Sequence, residues 1–101
     1  MENKMKIAIA LADRSIYNEE RLRNAEKCGC YHCTIIFSPA EITEWTDKSH
    51  ESRTAICPYC GIDSVIDCNI MDNFSREALE CFRQIMFEKK HVKTTKLSST
   101  Q

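Results

Sequence analysis

Only two glycines, two prolines and three histidines occur among the 101 residues, and no apolar run is long. The candidate at the N-terminus, Ile7 to Ala12, holds six residues before Asp13 and Arg14 end it. A signal h-region needs roughly 7–15 apolar residues and a membrane helix about 20, so the run is neither. The histidines, His32, His50 and His91, are scattered without a His-Glu-x-x-His spacing, which excludes a helix-borne zinc hydrolase centre. Charge of one sign is lacking too, since the net charge is −1.

Cysteine, by contrast, is abundant. Seven are present, and an odd number cannot all pair within one chain. With no export segment read at its start, the chain is expected to be cytoplasmic and to keep its thiols reduced. In that setting clustered Cys-x-x-Cys pairs point to metal or redox chemistry. A chain this short has a modest apolar core, so a metal staple has much to add.

The near-zero net charge hides a gradient. Residues 28–88 carry four basic and ten acidic side chains, whereas 89–101 carry four lysines and no acid. The cysteine-bearing middle is therefore a poor match for phosphates, whose binding depends on Lys and Arg. Nucleic-acid contact would fall to Lys89, Lys90, Lys93 and Lys96, a tail without interleaved aromatics for base stacking.

Three regions follow from the pattern. Residues 1–27 have no Gly or Pro and read as a helical arm, either one helix or two divided by an N-cap at Ser15. Leu11, Ile16, Leu22 and Ala25 are its expected apolar positions. Residues 28–68 read as a β core. Ser38-Pro39-Ala40-Glu41 is a capping box that predicts one helical turn ending near Ile42 or Thr43. Glu44 to Thr46 and Thr54 to Ile56 are expected to pair as a hairpin, with Ser64 to Ile66 as a further strand. A second helix is expected over 73–88, its stripe made by Ala78, Leu79, Phe82, Ile85 and Met86. The basic residues 89–101 carry no stripe and read as a flexible tail. The fold class expected is a small α+β domain over 1–88, with a zinc-ribbon-like core of two knuckles and short strands flanked by N- and C-terminal helices.

Cys30-Tyr31-His32-Cys33 and Cys57-Pro58-Tyr59-Cys60 stand 23 residues apart. Two ligands separated by two residues let a tight turn aim both sulfurs at one ion, and two such turns complete a tetrahedron. One structural Zn2+ on Cys30, Cys33, Cys57 and Cys60 is the expected cofactor. Gly61 favours the second turn by allowing positive φ. Cys28 and His32 are alternative ligands, either able to replace a neighbour in the first pair. His32 is expected at the surface, and Cys68 and Cys81 in the core.

Cys-Pro-Tyr-Cys also resembles the active-site motif of glutaredoxins. That motif works at a helix N-terminus, where the dipole lowers a thiol pKa. Here Gly61-Ile62-Asp63-Ser64-Val65-Ile66 favours turn and strand, and no proline follows Pro58 to supply that fold's cis-proline. Thiol oxidoreduction is the weaker reading, and four thiolates would leave no open position for a catalytic zinc. The chain reads as a non-enzyme.

Cys28 to Asp67 resembles a family of small bacterial and phage proteins known simply as cytoplasmic proteins. The likeness rests on Cys28-Gly29-Cys30-Tyr31-His32-Cys33, on Phe37-Ser38-Pro39-Ala40-Glu41-Ile42-Thr43-Glu44-Trp45 and on Cys57-Pro58-Tyr59-Cys60-Gly61-Ile62-Asp63-Ser64-Val65-Ile66. It implies a zinc-ribbon-like core between helices and carries no activity with it. His32 stands where the family pattern has an aromatic. The partner expected is another protein, docked through Trp45 and Ile42 with Glu41 and Glu44 beside them.

Overall fold

The computed structural model describes residues 2–88 of the chain. Helix α1 (Glu2–Arg14) and the short α2 (Glu19–Arg23) lead into five brief strands: β1 (Cys28–Cys30), β2 (Ile36–Phe37), β3 (Trp45–Thr46), β4 (Thr54–Ala55) and β5 (Val65–Asp67). Helix α3 (Arg76–Arg83) follows, and a wider π-type turn over Gln84–Glu88 extends it. This is the small α+β arrangement expected. Among the described residues no helix is long and apolar enough to cross a membrane.

The strands form two antiparallel units. One sheet has the order β2-β1-β5, with Cys28 opposite Phe37 and Asp67, and Cys30 opposite Val65. The other is the hairpin β3-β4, pairing Trp45 with Ala55 and Thr46 with Thr54.

Side-chain alternation along β1 splits the core in two. Cys28 and Cys30 face Phe37, Val65, Ala55, Cys57, Leu22 and Ile42 on the knuckle side. Gly29 turns to the other side, where Ile66 and Ile36 meet Leu11, Tyr31, Phe74, Leu79 and Phe82 from the helices. A Cβ on Gly29 would lie 2.7 Å from Leu79 Cδ1 and 3.1 Å from Phe74 Cζ. The absent side chain is thus what lets α3 seat on β1. Burying Leu79 completely contributes roughly 1.5–3 kcal/mol.

Polar ties lock the layers. Asn18, fully buried, donates through Nδ2 to Val65 O at 2.8 Å and Arg14 O at 3.1 Å, and accepts from Ala55 N at 3.0 Å. One side chain therefore joins the end of α1, the three-stranded sheet and the hairpin. Arg14 pairs with the buried carboxylate of Asp67 at 2.8 Å.

Several expectations change. Residues 1–27 hold two helices, and Ser15 does not cap the second. It sits buried at the end of α1, where its Oγ donates to Ala12 O and accepts from Tyr31 Oη. Leu11 and Leu22 are buried on opposite sides of the sheet, while Ile16 is 41% exposed. The non-helical segment 15–18, with Tyr17 at φ 50°, reorients the chain between helices, so one stripe cannot run through both. The turn Pro39–Glu41 is a 3-10 turn with the full reciprocal capping box of Ser38 and Glu41. The helix expected over 73–88 begins at Arg76, with Ser75 as N-cap accepting from Ala78 N at 3.2 Å. Cys81 is exposed on α3 rather than buried, because Leu79 and Phe82 take the inward face. Residues 89–101, with Lys89, Lys90, Lys93 and Lys96, lie outside the described residues.

Candidate metal centre

Each Cys-x-x-Cys pair is held in the same backbone turn. In the first, Cys30 N donates to Ile35 O at 3.0 Å, Thr34 N donates to Cys30 O at 2.7 Å, and His32 N points at Cys30 Sγ at 3.4 Å. In the second, Cys57 N donates to Ile62 O at 3.0 Å, Gly61 N to Cys57 O at 3.0 Å, and Tyr59 N to Cys57 Sγ at 3.4 Å. The backbone N–H groups that orient these sulfurs also favour their thiolate form.

The two turns face each other, one leaving β1 and the other following β4. Cys30 Sγ lies 3.6 Å from Cys60 Sγ, and Cys33 Sγ lies 3.7 Å from Cys57 Sγ. All four sulfurs fall within 4.8 Å of one another. A disulfide needs about 2.05 Å, so these are four free thiols. A tetrahedron with metal–sulfur bonds near 2.3 Å has edges of about 3.8 Å. The cluster has the donor type, number and spacing to hold one metal ion.

Its electrostatics favour a cation. Burial pushes the Cys33 thiol up to about 11 and raises Cys30 as well, despite the N–H donors aimed at it. At Cys57 burial also raises the pKa, but hydrogen bonds from the N–H groups of Tyr59 and Cys60, together with those from the Cys33 and Cys60 thiols, hold it below its ordinary value. A dication would offset the cost of collecting thiolates in so dry a place.

Cys28 is not among the four. Its thiol is fully buried one residue pair along β1, donates to Phe37 O at 3.5 Å and is pushed up to about 12 by burial. His32 stands between two cluster cysteines yet turns away from them. Its ring meets Phe87 edge-on at 5.1 Å, its carbonyl accepts from Arg83, and its buried Nδ1 finds no partner among the described residues. The histidine is therefore half-buried, held against the C-terminal turn and not at the surface.

The other candidate positions divide. Ile42 is buried at 7% exposure in the knuckle-side core, which leaves little of it for a partner. Trp45 is half-buried against that core, with the Arg53 guanidinium 5.1 Å from its ring centroid. Glu41 accepts from Ser38 N and from the Tyr59 hydroxyl, while Glu44 is exposed. Tyr59 is 54% exposed and edge-on to Phe37 at 5.6 Å. Sequence reasoning missed Thr34, which holds a positive φ of 62° in the slot where Gly61 holds 78°. Superposing the two motifs by their first cysteines would have put the threonine there.

Two facing knuckles on short antiparallel strands, packed between helices, define a small α+β protein with a zinc-ribbon-like core. Compared with protein-family models, with curated proteins and with solved structures, the chain matches none.

Proposed function

We propose that this is a structural zinc protein, in which one zinc ion on Cys30, Cys33, Cys57 and Cys60 fixes a small surface that docks on another protein and no reaction is catalysed at the centre. The observation that carries the reading is the pair of matching turns with their sulfurs 3.6–3.7 Å apart across the knuckles. Four protein thiolates fill a tetrahedral shell, which is the pattern of structural rather than catalytic zinc. Zinc in small finger peptides contributes about 10–16 kcal/mol, comparable to the whole stability of a domain. The Cys57 pair is followed by Gly61 and a strand, not by a helix whose dipole would activate a redox thiol.

The docking surface belongs beside the knuckles. A groove of about 390 Å³ runs between α2 and the 3-10 turn, with Leu22, Pro39, Ala40 and Trp45 among its apolar lining and Glu19, Arg23 and Glu26 among its charged lining. Glu41 and Glu44 stand nearby in sequence. Apolar walls with a mixed but mostly acidic rim suit a partner segment that carries both apolar and basic side chains.

Elemental analysis of protein purified without added metal tests the centre, with one zinc per chain expected and circular dichroism collapsing on chelation. Substoichiometric metal, or a spectrum indifferent to chelation, would sink the reading. For the surface, a co-purifying protein should be lost from Trp45→Ala but retained after removal of residues 89–101. Steeply salt-dependent nucleic-acid binding that vanishes with that removal would replace a protein partner by a nucleic acid.

A further inference from the structure

Helix α1 has two apolar faces, and only one packs into the core of the described residues. Ile7 and Leu11 pack into the helix-side core. Met5 and Ile9, one turn apart on another face, are 64% and 63% exposed, the highest values of any large apolar side chain described. Exposed Ala12 extends the face, and Ile16, 41% exposed just past the helix end, keeps the four-three-four spacing. Such spacing is the seam of a helix that packs along another helix. Among the described residues the inward face, not this one, meets the core.

The flanking charges select the occupant. Lys6 stands exposed at one end of the face and Asp13, two turns on along the same flank, at the other, and neither has an ion pair among the described residues. A second α1 laid antiparallel brings Lys6 of each copy to Asp13 of the other along the flank they share, and Met5 and Ile9 to the small side chains of Ala8 and Ala12. Laid parallel, it would turn that flank away from its counterpart and leave both charges unpaired. A two-fold contact of this kind is self-complementary, as a symmetric dimer requires.

We propose that this face is a self-association surface, occupied by α1 of a second copy of the chain in antiparallel orientation. A 13-residue helix is about 20 Å long. It buries less than a standard interface, so the dimer is weak and forms at high micromolar concentration.

Sedimentation equilibrium of the full chain tests this. The average mass should climb from 11.7 kDa towards twice that value as concentration rises. Ile9→Glu should stay monomeric throughout. Asp13→Lys alone and Lys6→Glu alone should each weaken association about tenfold, through like charges at both ends of the pair. Mixing those two variants should restore it, since opposite charges then meet at both ends. These positions are exposed, so circular dichroism of each variant should match the parent. A parent that stays monomeric, an Ile9→Glu variant that still dimerises, or a mixture no tighter than its components would overturn the proposal.

Discussion

Thr34 and Gly61 occupy one position in two copies of the same turn. Each lies four residues after the first cysteine of its pair and donates its N–H to that cysteine's carbonyl. Each also holds a left-handed backbone, at φ 62° and 78°. For glycine this conformation is free of steric cost, whereas a β-branched residue there is strained. The first knuckle therefore stores strain that the second does not. A part is recovered by the Thr34 hydroxyl, which donates to Cys33 O at 2.6 Å.

Substitutions at the two positions should behave asymmetrically. A Cβ on Gly61 meets nothing within 4 Å, so Gly61→Ala isolates the conformational penalty, expected at about 1 kcal/mol. Thr34→Gly relieves a similar strain while losing one hydrogen bond and loosening the unfolded chain. It should stay within about 0.5 kcal/mol of the parent, although truncating a buried side chain ordinarily costs more. Urea unfolding at fixed free zinc measures both. A loss above about 2 kcal/mol for Thr34→Gly would show that its packing outweighs its backbone.

A close approach, not a turn, fixes Gly29. Gly29→Ala should destabilise by about 1–3 kcal/mol, because Leu79 Cδ1 and the Ile35 carbonyl, 2.7 and 3.2 Å from the new Cβ, both obstruct it. Leu79→Ala removes one obstacle, so alanine at 29 should cost less in that background, with a coupling of about 0.5–3 kcal/mol. Strict additivity in the double-mutant cycle would place the obstruction at Phe74 Cζ, 3.1 Å from the new Cβ, and at the Ile35 carbonyl instead.

Local signals explain what the sequence disclosed. The capping box at Ser38 and Glu41 and the hairpin of Trp45 with Ala55 each depend on residues close in sequence, and both formed. The four-cysteine cluster was legible for the same reason, since each pair is a local turn with fixed geometry. Long-range choices were not legible. Nothing near Cys81 tells that Leu79 and Phe82 will claim the inward face of α3. Likewise, only the tertiary arrangement carries Arg83 and Phe87 back to His32, more than fifty residues away. Asn18 joins three elements through one amide, yet in sequence it is an ordinary residue before a helix.

Cys28 is the sharpest check on the ligand set. Its thiol bonds to Phe37 O within the sheet and stands apart from the four clustered sulfurs. Cys28→Ser should retain one zinc per chain, with a modest stability loss from placing a hydroxyl in an apolar site. Cys57→Ser should lose the metal or bind it orders of magnitude more weakly. Colorimetric zinc release compares the two variants. Equal loss of zinc would bring Cys28 into the shell and displace one of the four.

The acid response of the hairpin should hinge on Glu19. Arg53 donates to its carboxylate through its side chain, at 2.9 and 2.6 Å, and through its backbone N–H at 3.1 Å. These bonds, with lesser help from the nearby Arg23 charge, lower the Glu19 pKa from the usual 4.5 to about 2. A carboxylate whose folded pKa is depressed stabilises the fold fully above its unfolded value and loses that contribution as pH falls towards the folded one. The window is therefore pH 4.5 down to about 2. In carboxyl-detected NMR between pH 6 and 4, the Glu19 resonance should stay flat in the parent and titrate in Arg53→Ala. The same variant frees the face of Trp45 over which the guanidinium lies, so its indole fluorescence should change at neutral pH, where Glu19 is ionised in both proteins. A Glu19 that titrates near its usual value in the parent would mean that the bridge is not formed in solution. The hairpin would then be held to α2 by the backbone bond from Glu19 N to Arg53 O, the weaker one from Glu20 N to the Ser52 hydroxyl, the bond from Ala55 N to Asn18 at the head of the helix, and the packing of Leu22.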